Sequence, residues 1–185
     1  VLSMSELHDA FTWEDIYLHE AGHATVAAAL YFHISLRTEV EIVTSTSSET
    51  STCLVRTPQG ILSEQAKAAT DTVINCAGLS ALMILKPVHR WRIPGAYSDY
   101  RDAFTETGKT ANLKLGTLSQ FMQRLHTLYR SHRTAQEILR QERTFLVQIA
   151  HATVQNGGEL SATELRALHN EYGTGTDYQH IFLPD

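Results

Sequence analysis

The sequence contains few cysteines and no repeated or compositionally biased segment. Two cysteines, Cys53 and Cys76, among 185 residues are too few for a disulfide scaffold. Their surroundings look like a strand and a buried helix, which predicts reduced thiols without chemistry and a cytoplasmic chain. Because neither a low-complexity tract nor an internal repeat is visible, we expect neither a disordered chain nor a repeat architecture.

Other absences limit the partners. The net charge is −5 and the fifteen Lys and Arg residues are scattered except for a loose cluster from Arg124 to Arg143, so no nucleic-acid surface is expected. The longest apolar runs, around residues 24–32 and 77–85, fall short of the roughly 20 residues that span a bilayer, so no membrane span is expected. A Walker A pattern is also missing, which predicts no ATPase module in this chain.

What is present fits one globular domain. With 43% apolar and 19% charged residues, a chain of 185 residues predicts a single core over residues 1–185. We expect a first lobe over residues 1–116 and a helical bundle over residues 117–185. The predicted fold is mainly α, of the α+β kind, with a small antiparallel sheet beside a central helix.

The first lobe combines helices with a strand pair. Residues 13–32 predict an apolar core helix with Thr12 as its N-cap. The runs EVEIV, residues 39–43, and TCLVR, residues 52–56, predict an antiparallel pair. A helix is expected over 61–85, opened by Ser63, in which Gly78 indicates close packing against another backbone. Residues 89–99 predict a loop, and Ser98 caps a helix that begins near Asp99.

From Thr117 onward the apolar spacing predicts a helical hairpin, followed by a short helix whose capping box is Ser161 and Glu164. Two apolar stripes are both expected in the core. The first comprises Leu118, Phe121, Met122, Leu125, Leu128 and Tyr129, and the second Ala135, Ile138, Leu139, Phe145, Leu146 and Ile149.

The stretch HEAGH, residues 19–23, is the strongest chemical signal. On a helix, residues four apart lie about one turn and roughly 6 Å from each other, so His19 and His23 can bind one metal ion. Zn²⁺ with two imidazoles keeps room for another protein ligand and a water molecule. Glu20 can then take a proton from that water and pass it to a leaving amine. These residue types at this spacing predict hydrolysis of a peptide bond.

The alternative interpretation is an ordinary helix that carries two histidines by chance. A buried, alanine-rich helix is a costly place for Glu20 and two imidazoles unless a metal or other partners satisfy them, which favours the metal site. The metzincin third ligand is excluded because Val26 and Ala29 occupy its Gly and His positions. A distant carboxylate remains, and spacing leaves four candidates open. They are Glu64, Asp71, Asp99 and Asp102.

Three stretches resemble the peptidase domain of the FtsH-type AAA zinc proteases. HEAGHA, residues 19–24, is similar to the zinc helix of that family, and GAYSDYRDA, residues 95–103, is similar to its GASNDLERA segment. Residues 134–150 and 160–168 are similar to its closing helices. The resemblance covers roughly residues 13–170. It departs at AGLSALMIL, residues 77–85, which lacks the Arg and paired acids of the family's GGRAAEE-like run.

The resemblance implies that Asp99 is the third zinc ligand, beside His19 and His23, with Glu20 as the catalytic base. It also implies unfolded polypeptide substrates, a separate or fused AAA ATPase, and a homo-oligomeric ring, a hexamer in that family. We expect a substrate to add as a strand to residues Thr52, Cys53, Leu54 and Val55. The rival hypothesis is a non-catalytic binding or assembly module that has kept a peptidase fold.

Overall fold

A computed structural model describes residues 13–45, 50–86, 96–110 and 117–178. Thr12 and residues 89–95 of the expected loop lie outside these ranges. The elements within them are the helices α1 (Trp13–Tyr31), α2 (Glu64–Asn75), α3 (Ala77–Leu85), α4 (Ala96–Thr110), α5 (Leu118–Gln141), α6 (Arg143–Gln155) and α7 (Ala162–Tyr172), and the strands β1 (Glu39–Ser45) and β2 (Thr50–Arg56). The mainly α fold with a small antiparallel sheet is confirmed.

Helix α1 forms the centre of the core. Its residues from Leu18 to Tyr31 are buried almost without interruption, and α3, α6 and both strands pack around it. Small side chains on most sides allow this, because alanine and glycine let neighbouring elements approach from several directions. Lys86, just after α3, also forms an ion pair with Asp15 at the start of α1. The predicted core helix is thereby confirmed.

The two central helices cross at very short range. A Cβ atom added to Gly22 would lie 2.6 Å from Ala81 Cβ and 2.7 Å from the carbonyl oxygen of Ala77. Any larger residue at Gly22 would therefore overlap the backbone of α3. The contact brings α3 alongside the face of α1 that carries the two histidines.

The sheet has one covered edge. β1 pairs with β2 in an antiparallel register that places Ile42 opposite Cys53. On its other side Ile42 exchanges two backbone hydrogen bonds with Leu160, just before α7. Among the described residues, the outer edge of β2 has no strand beside it.

The helix expected over 61–85 is instead two helices, α2 and α3, which meet at Cys76. Ser63 caps α2 as predicted, its hydroxyl accepting from the N–H of Ala66. Taken together, Glu64–Leu85 has the length and composition of a membrane-spanning helix, although no single apolar run within it does. Of its most apolar window, 67% is buried inside the protein, as expected for core helices.

The bundle confirms one apolar stripe and contradicts the other. Residues of the second stripe, from Ala135 to Ile149, are buried as predicted. The first stripe is exposed instead of buried at Leu118, Phe121, Met122, Leu125 and Tyr129.

The orientation of α5 explains the exposed stripe. In the N-terminal half of α5, Arg124 points inward. Its guanidinium lies 4.2 Å from the centre of the Phe104 ring and donates to the hydroxyl of Thr107 at 3.2 Å. A long cationic side chain with an aromatic and polar partners is satisfied when buried. Helical spacing then directs much of the apolar stripe to solvent.

The helix crossing leads to a test of stability. We expect Gly22→Ala to lower the free energy of unfolding, because overpacking costs about 1–3 kcal/mol and exceeds the roughly 1 kcal/mol by which alanine favours a helix. Gly108→Ala, in α4, is the matched control, since the added Cβ would meet only side-chain atoms of Arg124 among its nearest neighbours. Urea unfolding with chelator present would measure both, and a Gly22→Ala protein as stable as wild type would contradict the close crossing.

Candidate metal centre

Three side chains from two helices converge at one point. His19 and His23 extend from α1, and their Nε2 atoms are 3.0 Å apart. Asp99 Oδ2, from α4, lies 2.8 Å from Nε2 of His19 and 3.3 Å from Nε2 of His23. Both histidines are buried, and the carboxylate is mostly buried. Within the described ranges, this is a group of three that could hold a metal ion.

The fold thus brings Asp99 to the histidines. Helix α4 begins at Ala96, so Ser98 lies inside the helix rather than capping it, and the predicted start near Asp99 is wrong by one turn. Asp99 falls in the first turn of α4. The other three candidate carboxylates lie outside the group: Asp71 pairs with Lys67, Asp102 pairs with Arg101, and Glu64 is exposed.

The hydrogen bonds around the group leave its ligand atoms available. Nδ1 of His23 lies 2.7 Å from the carbonyl oxygen of Ile74, so this nitrogen carries the hydrogen and Nε2 has a free lone pair. Oδ2 of Asp99 is buried without a hydrogen bond of acceptable geometry, despite its short distances to both imidazoles. Buried polar atoms are normally satisfied. A cation held between the three atoms would satisfy this oxygen.

Glu20 lies between the histidine pair and the sheet. Its Oε2 accepts a hydrogen bond of 2.7 Å from the backbone N–H of Cys53 in β2, and the residue is only 8% exposed. Burial raises its pKa, and the nearby His23 and His19 and the Cys53 N–H offset only part of that effect. A carboxyl group with a raised pKa is suited to exchanging protons near neutral pH.

The pKa values of His23 and Asp99 shift in opposite directions. Burial alone would lower the pKa of His23, but the close contact with the Asp99 carboxylate and the charge of Glu20 outweigh burial and raise it. Burial alone would raise the pKa of Asp99, yet close contact with both imidazoles holds it well below its usual range. The metal-free centre is therefore stabilised by the negative carboxylate of Asp99 beside a His23 that binds a proton more readily than usual.

Both cysteines are protonated at neutral pH. Burial, followed by the charge of Asp99, raises the pKa of Cys76 to about 12. Burial, followed by the charges of Glu20 and Glu41, raises that of Cys53 well above its usual range. Since the thiolate is the nucleophile and the metal ligand, these shifts agree with the prediction of thiols without chemistry.

The predicted substrate strand divides into two pairs of residues. The backbone hydrogen bonds of Ile42 go to Leu160, on the side of β1 away from β2. Directly opposed residues of an antiparallel pair behave alike, so the backbone N–H and C=O of Cys53, opposite Ile42, point to the outer edge of β2. By alternation Val55 points outward as well, while the backbone groups of Thr52 and Leu54 face β1. Outward-facing Cys53 and Val55 thus suit an added strand, and Thr52 and Leu54 belong to the existing ladder.

A cavity of about 370 Å³ adjoins the outer edge of β2. Its walls come from β2, α2 and α4, and it touches both residues whose backbone groups bond to the centre, Cys53 and Ile74. The lining residues are Cys53, Val55, Asp71, Ile74, Asn75, Asp102, Thr105 and Glu106. The space is large enough for an amino-acid side chain.

Gly78 has a role that the sequence interpretation missed. A Cβ at this position would lie 2.6 Å from Nε2 of His19 and nearer still to Nε2 of His23. The expected close approach is therefore to the imidazoles and not to another backbone. The sequence contains no signal for this contact, because Gly78 in α3 is far along the chain from the two histidines of α1.

No protein-family model matches this chain, and no match is found among curated proteins. The geometry of the centre therefore carries the functional argument.

Gly78 provides a test of the metal site. We expect Gly78→Ala to weaken binding of Co²⁺ by more than about 100-fold, beyond the 10–100-fold loss typical of a residue that only supports a ligand. The added methyl group occupies space beside both Nε2 atoms. Titration followed by the visible spectrum of bound Co²⁺ measures the affinity, with Gly108→Ala as the control helical glycine. Equal affinities for the two variants and wild type would contradict the site.

Metal affinity should also depend on pH. Protonated His23 stabilises the metal-free fold fully below its ordinary pKa of 6.5, and this contribution is lost as pH rises through the raised folded pKa. Asp99 contributes above about 3.8, and its contribution is lost as pH falls through its lowered pKa. Because the metal must displace the proton on His23, Co²⁺ affinity should fall about tenfold per pH unit below that raised pKa.

The comparison variant for the pH experiment is Glu20→Gln, which removes one of the charges that raise the pKa of His23. We expect the midpoint of the affinity curve to move to lower pH in this variant. A wild-type midpoint at or below 6.5 would be inconsistent with the described centre.

Proposed function

We propose that the chain is a zinc-dependent endopeptidase that hydrolyses peptide bonds in unfolded or loosely structured polypeptides. The observation that carries the proposal is the position of Glu20, a buried carboxyl group between the group of His19, His23 and Asp99 and the outer edge of β2. A base, a possible metal site and a strand edge thereby share one place. The similarity of residues 19–24 and 95–103 to FtsH-type peptidase domains supports the same function.

Zinc suits the donor atoms. Two imidazole nitrogens and one carboxylate oxygen are the kind of three-residue set that catalytic zinc sites use, with one position left open. Ligand atoms at 2.0–2.2 Å from a tetrahedral ion are separated by about 3.3–3.5 Å, close to the 2.8–3.3 Å between the three atoms here. When bound, zinc would supply a Lewis acid that makes a water molecule acidic near neutral pH.

In this proposal Glu20 moves the protons. Its raised pKa lets the carboxylate accept a proton from the attacking water and later donate it to the amine of the departing peptide. The N–H of Cys53 holds Oε2 and leaves Oε1 for this exchange. Burial of the group excludes bulk water, which strengthens each electrostatic interaction within the centre.

The substrate would bind in an extended conformation along β2. The outward backbone groups of Val55 and the carbonyl of Cys53 can pair with an added strand, while the cavity beside them receives a side chain. Backbone hydrogen bonds do not depend on the side chains of the substrate. This favours loosely structured polypeptides over one folded partner.

The second candidate function is a non-catalytic assembly module that acts with a separate AAA unfoldase. The exposed apolar stripe of α5 favours it, because Leu118, Met122 and Tyr129 are each more than half exposed. The two functions differ in one respect that can be measured, namely cleavage by the zinc-loaded chain.

We expect zinc-loaded wild-type protein to degrade casein and Glu20→Gln to lose at least about 100-fold in rate while still binding one zinc ion per chain, since an amide cannot accept the proton. Metal content by atomic emission and release of fluorescent casein fragments measure the two properties. Glu137→Gln, an exposed glutamate of α5, is the matched control.

Each outcome separates the candidates. Full activity in Glu20→Gln would overturn the role of Glu20, and a wild-type chain that binds zinc without cleavage would favour the assembly module. If wild type binds no zinc, the proposed function fails altogether.

Asp99→Asn should weaken zinc binding, since it removes the one carboxylate of the group.

A further inference from the structure

A second polar cluster connects the helices that form the metal centre. Nδ1 of His132, in α5, lies 2.9 Å from the hydroxyl oxygen of Tyr100 and 3.1 Å from that of Ser80. Tyr100 directly follows Asp99 in α4, and Ser80 lies two residues beyond Gly78 in α3. The imidazole thus touches both helices that approach the histidine pair of α1.

The hydrogens in this cluster can be assigned from its partners. The hydroxyl of Ser80 donates to the carbonyl of Cys76 at 2.8 Å, so its oxygen is left to accept. The side-chain amide nitrogen of Gln136 lies 3.2 Å from Nε2 of His132, which makes Nε2 an acceptor. Nδ1 then carries the hydrogen of a neutral imidazole and donates toward Ser80 and Tyr100.

These contacts connect α3, α4 and α5 beside the centre. Ser80 is fully buried, and α3 is fixed against α1 by the close crossing at Gly22. Helix α4 packs mainly against α2 and α5, so Asp99 depends on those contacts for its position beside α1. His132 of α5 contacts both Tyr100, the residue after Asp99, and Ser80 of α3. These contacts tie the start of α4 to the fixed pair of helices, α1 and α3.

We propose that His132 is a positioning residue that holds Asp99, through Tyr100, within reach of the histidine pair. The inference rests on the proposed zinc function and adds a residue to it. Groups that orient a metal ligand without touching the metal commonly contribute 10–100-fold to affinity. His132 acts at one further step, through the backbone and side chain of the neighbouring residue.

The experiment is zinc affinity of the full chain, measured by competition with a chromophoric chelator. His132→Phe removes the donor and keeps a ring, and we expect about 10-fold weaker binding. His132→Asn should recover most of the affinity, because its amide N–H groups can donate to the same two oxygens. Tyr100→Phe removes only one hydroxyl and should weaken binding several-fold, with no additional loss when combined with His132→Phe.

The matched control is His151→Phe. His151, in α6, is exposed and lies 3.3 Å from the amide of Gln155, four residues on, just as His132 contacts Gln136. We expect wild-type affinity in this variant. A merely structural role for His132 would lower the melting temperature of metal-free protein in both the Phe and the Asn variants without restoring affinity in the latter.

Wild-type affinity in both His132→Phe and Tyr100→Phe would overturn the inference, as would an equal loss in His151→Phe or no recovery in His132→Asn. These results are distinct from failure of the proposed function, in which the wild-type chain itself binds no zinc. If His132→Phe does not fold, Tyr100→Phe alone decides, because the phenylalanine keeps the ring and the helix.

Discussion

The close crossing of α1 and α3 is the constraint on which the rest of the structure depends. Two glycines make it possible, Gly22 facing the backbone of α3 and Gly78 facing the imidazoles of α1. Side chains at either position would separate the helices and disturb both histidines. Glycine weakens a helix by about 1 kcal/mol relative to alanine, so each position gives up local stability for the contact.

The crossing buries three ionisable groups of α1, and burial has to be offset by partners. His23 donates to Ile74, Glu20 accepts from Cys53, and Asp99 lies against both imidazoles. These partners come from α2, β2 and α4, three different elements, so the centre exists only in the assembled fold. A buried polar cluster with so many external partners strengthens when complete and is costly when any member is missing.

The sequence was informative where the relation is local. His19 and His23 lie four residues apart on α1, so helical periodicity alone predicts their common direction and places Glu20 about 100° to one side of His19. Asp99 lies on a helix that the chain reaches much later, and no spacing rule selects it from the other acids. Its assignment came from the resemblance to a family segment, and the structure brings Asp99, not the other three candidates, to the histidines.

The failed expectations share a physical cause. Periodicity identifies an apolar face of α5 but not what covers it, and here Arg124 takes the inward position beside Phe104. Gly78 and His132 were likewise missed because their contacts join residues 32 or more positions apart. The type of a residue does not predict neighbours that are distant in the sequence. Helix caps such as Ser63 and the Ser161–Glu164 box can be predicted because the capping residues lie next to the helix that they cap.

Under the proposed function, the bond from Cys53 to Glu20 also sets how a substrate lies. An added strand can pair fully with Val55, but at Cys53 it finds the carbonyl free and the N–H already bonded to the carboxylate. The substrate strand therefore has one unmatched acceptor beside Glu20. A peptide carbonyl left without its strand partner is the one best placed to turn toward the centre, so the edge of β2 would select which bond is presented for hydrolysis.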